Sequence, residues 1–301
     1  MLTRFTLNST YDGLAISVAL MTPDSKPKAI LQFVHGMCGI KERFFSVMEH
    51  FTSEGYICIA NDHRGHGDSI RSEKDRGYMY KGGYNALVSD IKMVSEHIKG
   101  LYPELPLILI GHSMGALASR IYIKRHDDLP DGLILCSTPS YNKAARAGII
   151  LSSILPARTR TDMIQKLSEA SLNKEFKDEG PLAWTCSDKD VRESFRTNPK
   201  CDFAFTANAG KALMKMMIEA HDSKGWKVSN PLLPILLLSG SDDPCAREAK
   251  GNNKTLGTLK EAGYRDIKSI TYPGMRHEIL NEREKAKVWE DIDKFVKTII
   301  S

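Results

Sequence analysis

Three side chains, in the chain order Ser113, Asp243 and His277, have the types needed for nucleophilic catalysis. A serine hydroxyl is a weak nucleophile near neutral pH. It needs a base within hydrogen-bond reach, and that base needs an acid to orient it. Ser113 is the centre of Gly111-His112-Ser113-Met114-Gly115, a G-x-S-x-G pattern. The aliphatic run Leu107 to Ile110 before it reads as a short buried strand, and Ala116 to Tyr122 after it reads as the start of a helix. A sharp turn between strand and helix holds such a serine in a strained backbone conformation and presents its hydroxyl at the tip of a sheet. The helix N-terminus behind it favours developing negative charge.

The base and its partner come from two later strand-to-loop junctions. The chain contains nine histidines, but only His277 follows the last strand pattern, Ile267 to Tyr272, in the glycine-containing loop Pro273-Gly274-Met275-Arg276-His277-Glu278. Asp242 and Asp243 both follow the apolar run Pro234 to Gly240. Pro244 pushes Asp243 toward an extended backbone, which suits a side chain projecting across the strand tips. Asp243 is therefore the favoured acid and Asp242 the competitor. Glu278 and Glu282 are close to the base in sequence and read as solvated surface charges.

A fourth junction supplies backbone donors. Ala29 to Val34 is a strand pattern running directly into His35-Gly36-Met37-Cys38-Gly39. The Met37 N–H and the Met114 N–H form a candidate oxyanion hole. The loop Asn61 to Ser69 carries Asp62, His63, His66 and Asp68. A glycine-rich loop gives these side chains no fixed face, unlike two histidines one turn apart on a helix. The expectation is a hydrogen-bonded loop beside the site, with no metal and no cofactor.

These loops need a frame. Phe5 to Ser9 and Leu14 to Met21 read as two antiparallel strands around Tyr11-Asp12-Gly13. Strands then alternate with helices: Ala29 to Val34, helix Phe44 to Glu54, strand Tyr56 to Ala60, helix Tyr84 to Leu101, the strand before Ser113 and its helix, and strand Gly132 to Cys136. Alternation of this kind predicts a mostly parallel sheet with helices on both faces. Loops at the carboxyl ends of parallel strands share one edge, where ligands bind.

From Thr138 to about Asn230 the strand pattern stops. Helical pieces run from Ala144 to Leu155, Thr161 to Ser171, Ser187 to Thr197 and Asn208 to His221, punctuated by prolines. Residues 138–230 are read as a helical cap inserted into a catalytic domain of 1–137 and 231–301. Phe203, Phe205, Met214 and Met217 are candidates for an apolar substrate wall, a use that flexible methionine suits. The same spacing also describes ordinary core. A strand at Pro234 to Gly240, a helix at Lys250 to Ala262, the last strand and an amphipathic helix from Glu284 to Ile299 complete the chain.

Composition excludes several classes. A net charge of +5 over 301 residues, with dispersed basic side chains, leaves no nucleic-acid footprint. Six cysteines without a CxxC pair argue against a zinc site or a disulfide framework. No apolar run approaches a membrane span and no signal-peptide pattern opens the chain, so a cytoplasmic setting is expected.

Taken together, His35-Gly36-Met37-Cys38-Gly39, Asp62 to Ser69, the pentapeptide around Ser113, Leu237 to Asp243 and His277-Glu278 resemble an α/β-hydrolase of the monoacylglycerol lipase and lysophospholipase group. The family often has histidine second in the serine pentapeptide, as His112 is here, and its acid falls where Asp243 falls. The resemblance implies the α/β-hydrolase fold and a serine hydrolase with a cap, acting on monoacyl lipids or similar carboxylic esters. This chain departs from the family in having Cys38-Gly39-Ile40 where glycine, an acidic residue and histidine are frequent. Thioester hydrolysis, acyl transfer to an alcohol, a short-chain esterase and a non-catalytic binding protein on the same fold are the alternatives. The expected partner is a small acyl ester.

Overall fold

The computed structural model describes residues 1–300, apart from the side chains of 248–252. Eight strands form one sheet: β1 Leu2–Asn8, β2 Ala15–Met21, β3 Ile30–Val34, β4 Ile57–Asn61, β5 Leu107–His112, β6 Gly132–Cys136, β7 Ile235–Gly240 and β8 Ile267–Tyr272. Their spatial order is β1-β2-β4-β3-β5-β6-β7-β8. The first two strands pair antiparallel, β2 pairs antiparallel with β4, and every other neighbouring pair is parallel. This is the mostly parallel sheet predicted from the alternation. β1 begins three residues earlier than its sequence pattern, because Leu2 to Arg4 complete the ladder to Ala19–Met21 despite their exposure.

The central strands are buried from end to end, so alternate residues serve opposite cores. Leu109, Leu133, Leu135, Ile235 and Leu237 face one core with the helices α2 (Gly83–Leu101) and α3 (Met114–Arg125). Ile108, Ile110, Ile134, Leu236 and Leu238 face the other, with α1 (Phe45–Ser53) and α9 (Lys285–Ile300). A one-residue register slip would move every one of these side chains to the wrong face.

Between β6 and β7 lie α4 (Ala145–Ile154), α5 (Asp162–Leu172), α6 (Lys189–Thr197) and α7 (Ala207–Ala220). A short 3-10 segment, Lys174–Glu179, follows α5 and has no counterpart in the sequence pattern. The N-caps of α6 and α7 are explicit: Asp188 accepts from the Asp190 N–H, and Thr206 from the Ala209 N–H. α7 differs from its neighbours. Its inner side chains Ala209, Ala212, Met216 and Ala220 join the core against α2 and α3, whereas α5 has no buried residue. α7 thus joins the inserted segment to the sheet layer, packing on α4 as well as on α2 and α3, while α5 stands outward. α8 (Glu248–Ala262) connects β7 to β8.

Candidate active site

Ser113 sits between β5 and α3 with φ 55° and ψ −121°, a conformation that L-residues rarely hold. The flanking glycines are there because nothing larger fits. A Cβ on Gly115 would lie 2.1 Å from the Val34 carbonyl oxygen, and one on Gly111 would lie 2.5 Å from Ser119 Oγ. Strand, turn and helix therefore close around Ser113 tightly enough to over-determine its strained backbone.

The loops after β7 and β8 are brought together in the same way. A Cβ on Gly240 would lie 2.0 Å from the Met275 carbonyl oxygen. That close approach puts Asp243 Oδ2 2.8 Å from His277 Nδ1, and His277 Nε2 lies 2.8 Å from Ser113 Oγ. Asp243 is 2% exposed and His277 4%. Asp243 Oδ1 accepts the N–H groups of Cys245 at 2.8 Å and Ala246 at 3.2 Å, which fixes the carboxylate plane. Asp242 is exposed and, among the described residues, its side chain accepts from the Ser241 hydroxyl alone. Position thus separates the two aspartates: Asp243 meets His277 and Asp242 does not. With Asp243 accepting from Nδ1–H, the Nε2 lone pair of neutral His277 is free for the Ser113 hydroxyl proton.

Burial pushes the His277 pKa down, but the Asp243 carboxylate outweighs it, Glu278 adds to the effect, and the result lies above the ordinary imidazole value. His112 Nε2 lies 3.0 Å from the His277 carbonyl oxygen, to which it donates, and the Trp184 ring lies 5.0 Å from the His277 ring. The sequence offered no signal for Trp184, which arrives from the segment between β6 and β7.

Glu278 and Glu282 overturn their reading as solvated charges. Glu278 Oε2 pairs with Arg43 Nη2 at 2.9 Å and accepts from Asn281 Nδ2 at 2.8 Å, with both charged side chains largely buried. Burial raises its pKa, but Arg43 and His112 lower it further, so it stays ionised. Glu282 is 2% exposed and accepts from the Ser187 N–H, the Ser187 hydroxyl and the Arg276 N–H. It ties the β8 loop to the inserted segment. The partner Arg43 lies 235 positions from Glu278, so no local pattern could reveal the pair.

The Met37 and Met114 N–H groups have no protein acceptor among the described residues. A Cβ on Gly36 would lie 2.9 Å from Ser113 Cβ, so the loop after β3 abuts Ser113. The 62–69 loop is used structurally. Buried Asp62 accepts from the Lys41 N–H at 2.8 Å, from Lys41 Nζ at 2.6 Å and from the Asp68 N–H at 2.8 Å. His63 pairs with His35.

Ser113 and His277 open onto a cavity of about 480 Å³. Phe203, Phe205, Met214 and Met217 all line it, together with Met37 and Met114. These residues border the cavity and also pack in the core. Phe205 and Met217 are also buried core, Phe203 and Met214 are partly buried, and Met216 faces wholly into the core. A volume of this size suits a small organic ligand.

Fold and site together define an α/β-hydrolase of the serine-hydrolase class. Residues 25–284 match the family model described as serine aminopeptidase, S33, and the chain belongs to that family. It is 23% identical over 291 residues to a monoacylglycerol lipase of Mycolicibacterium smegmatis, covering 94% of this chain and 93% of that one. A highly thermostable carboxyl esterase from Bacillus coagulans, solved with glycerol, superimposes with a TM-score of 0.89 at 26% identity, covering 100% and 99% of the two chains. A soluble variant of the Saccharomyces cerevisiae monoglyceride lipase shares the fold with a TM-score of 0.79 at 18% identity, covering 100% and 96%. The chain is an ester-hydrolysing serine hydrolase.

Proposed function

We propose that Ser113, His277 and Asp243 are nucleophile, base and orienting acid in the hydrolysis of a single-chain acyl ester, of the monoacylglycerol or lysophospholipid kind. The observation that carries this reading is the unbroken relay Asp243–His277–Ser113, with 2.8 Å at each link, at the wall of the cavity. Ser113 Oγ attacks the ester carbonyl carbon while His277 Nε2 takes its proton. The Met37 and Met114 N–H groups receive the oxyanion. Collapse of the tetrahedral intermediate expels the alcohol, which takes the proton from His277, and leaves an acyl group on Ser113. Water, activated by His277, repeats the attack and releases the acid.

The substrate class follows from the lining. Phe203, Phe205, Met214 and Met217 form an apolar wall for the acyl chain, while Arg43, Glu278 and Asn281 give the same cavity a polar side. Similarity to a monoacylglycerol lipase over nearly the whole chain supports this choice. Residues 138–230 act as the cap: Trp184, Phe203 and Met214 come from it to close the cavity over Ser113. The six cysteines are all free thiols, which fits a reducing, cytoplasmic compartment. No helix among the described residues is long and apolar enough to cross a membrane.

The test is release of a chromogenic acyl ester by wild type and Ser113→Ala, with fluorophosphonate labelling alongside. Ser113→Ala should lose on the order of thousands-fold or more in turnover and all labelling. Retained labelling in the variant would place the nucleophile elsewhere.

A further inference from the structure

The inserted segment meets the β8 loop at two rungs that flank the base. Arg276 Nη1 donates to the Ala183 carbonyl oxygen at 2.7 Å, and the Glu278 N–H donates to the Thr185 carbonyl oxygen at 2.7 Å. Residues 183 and 185 thus bind residues 276 and 278, and the pair between them is Trp184 and His277. Their ring centroids lie 5.0 Å apart, with the planes tilted by 42°. The rungs are braced from outside. The Arg276 guanidinium forks onto Glu179 at 2.9 and 2.6 Å and lies 4.0 Å from the Phe176 ring centroid. Glu282 holds Ser187 from the other end. Asn173 Oδ1 accepts the Trp184 backbone N–H at 2.9 Å. The indole Nε1–H is buried without an acceptor among the described residues, so no hydrogen bond of its own sets the ring.

The imidazole beside that indole changes charge during the reaction. It is neutral while it accepts from the Ser113 hydroxyl. It becomes a cation when Ser113 Oγ bonds to the ester carbonyl carbon and the hydroxyl proton passes to Nε2, and it is neutral again once the leaving alcohol has taken that proton. Its two nitrogens are committed to Asp243 and Ser113, and the ring is buried, so little water reaches the new charge. His112, the other ring beside it at 5.1 Å, is kept neutral by its burial and brings no negative charge. A tryptophan face is the strongest aromatic partner for a cation that lies within about 6 Å of its centroid. We propose that Trp184 is a positioning residue for ester cleavage, acting through His277: the rungs hold its indole π face against the imidazole, where it stabilises the cation that forms in each transition state. This inference rests on the reading of His277 as the base given above.

The arrangement suits that task better than packing alone. Trp226 and Trp289, the other two tryptophans, pack against the hydrophobic cores of the sheet. Trp184 is half-buried and lines the cavity with Ser113 and His277. The rungs bear on the backbone of its neighbours and not on its ring, so the π face can be altered without loosening them. Neutral imidazole gives that face little to act on, whereas imidazolium gives it a full charge. The contact is therefore stronger in the transition state than before it, which is the condition for raising kcat and leaving KM alone. Trp184 gives and takes no proton, and its effect reaches the chemistry through His277.

The experiment replaces the Trp184 indole, at that site alone, by mono-, di-, tri- and tetrafluorinated tryptophan. Fluorine draws electron density from the ring face and leaves its shape and the rungs almost unchanged, so a purely structural indole would not register it. We expect kcat and kcat/KM for a p-nitrophenyl ester to fall together with each added fluorine, by about fivefold to thirtyfold over the series, with KM and Tm near wild type. Acylation and deacylation both pass through the charged ring, so kcat reports the effect whichever of the two limits. Trp184→Leu keeps an apolar side chain without a π face and should lose about as much as the tetrafluoro protein. Rates that stay flat across the series, or rise with fluorination as an edge-on contact requires, overturn the proposal. So does a folded Trp184→Leu within about twofold of wild type. His277→Ala separates this inference from the reading beneath it. Near-complete loss of turnover in that variant, with a flat fluorine series, removes the Trp184 inference alone. A folded His277→Ala within about tenfold of wild type removes the base reading, and the inference with it.

Discussion

Replacing Asp243 by asparagine isolates the role of the acid, because the structure dictates how the amide must sit. Oδ1 accepts two backbone N–H groups, from Cys245 and Ala246, while Oδ2 faces His277 Nδ1. In Asp243→Asn the amide oxygen takes the first position, since an NH2 there would face two donors. Leaving two buried donors unsatisfied costs about 2–6 kcal/mol, so the flipped amide is rarer by roughly thirtyfold to 2 × 10⁴-fold. The favoured amide thus points its own N–H at Nδ1. His277 must then accept on Nδ1 and carry its proton on Nε2, where it cannot take the Ser113 proton. The expected loss in kcat is at least about a hundredfold and up to about 10⁴-fold, or roughly 3–5 kcal/mol of transition-state stabilisation. Asp242→Asn, at an exposed carboxylate, should stay within about threefold of wild type. The assay is steady-state hydrolysis of a p-nitrophenyl ester, with melting curves to show that both variants fold. A folded Asp243→Asn within tenfold of wild type, or an Asp242→Asn that falls as far, would refute the argument.

Five further outcomes follow from the same geometry. With His277 as the proposed base, activity needs its neutral form, and its pKa is raised, so kcat/KM should be full at alkaline pH and fall as pH drops through a midpoint above about 6.5. Glu278→Gln removes one of the charges that raise it, and the acid limb in a pH–rate profile should then move to lower pH. With acyl chain length, kcat/KM should rise by up to about threefold to fourfold per methylene until the cavity is full, from burial worth about 0.8 kcal/mol each. A maximum at acetate or butyrate in a p-nitrophenyl ester series would reject the lipid-like pocket. Met214→Ala should lower the long-chain rates selectively, whereas Met217→Ala, which also opens the core, should lower the melting temperature as well. Activity should survive EDTA, because Asp62 is committed to Lys41 and Asp68 and His63 to His35. Loss on chelation with recovery on adding a divalent ion would contradict this.

The sequence by itself determined the parts of this protein that depend on neighbours along the chain. Aliphatic runs of five or six residues make strands buried on both faces, and their alternation with amphipathic helices leaves little choice but a parallel sheet. That topology alone carries the loops bearing Ser113, Asp243, His277 and Met37 to one edge, so their shared location was legible before any coordinate. The glycines of the serine pentapeptide were legible for the same reason, since a strand-to-helix reversal has no room for side chains.

What only the tertiary structure decided is where a side chain of mixed character points. Nothing local distinguishes a buried glutamate from a solvated one. Glu278 is buried because Arg43 meets it from 235 positions away, and Glu282 because Ser187 and the Arg276 N–H converge on it. Met214, Met216 and Met217 sit within one turn of α7 and differ only in direction. Met216 points into the core against α2 and α3, Met214 borders the cavity and Met217 does both, because the neighbouring helices set those faces. The tautomer of His35 is decided in the same way, by a backbone N–H arriving from His63 on the next strand's loop. Periodicity records which residues can be buried; the partner that pays for burying a polar one is recorded only in three dimensions.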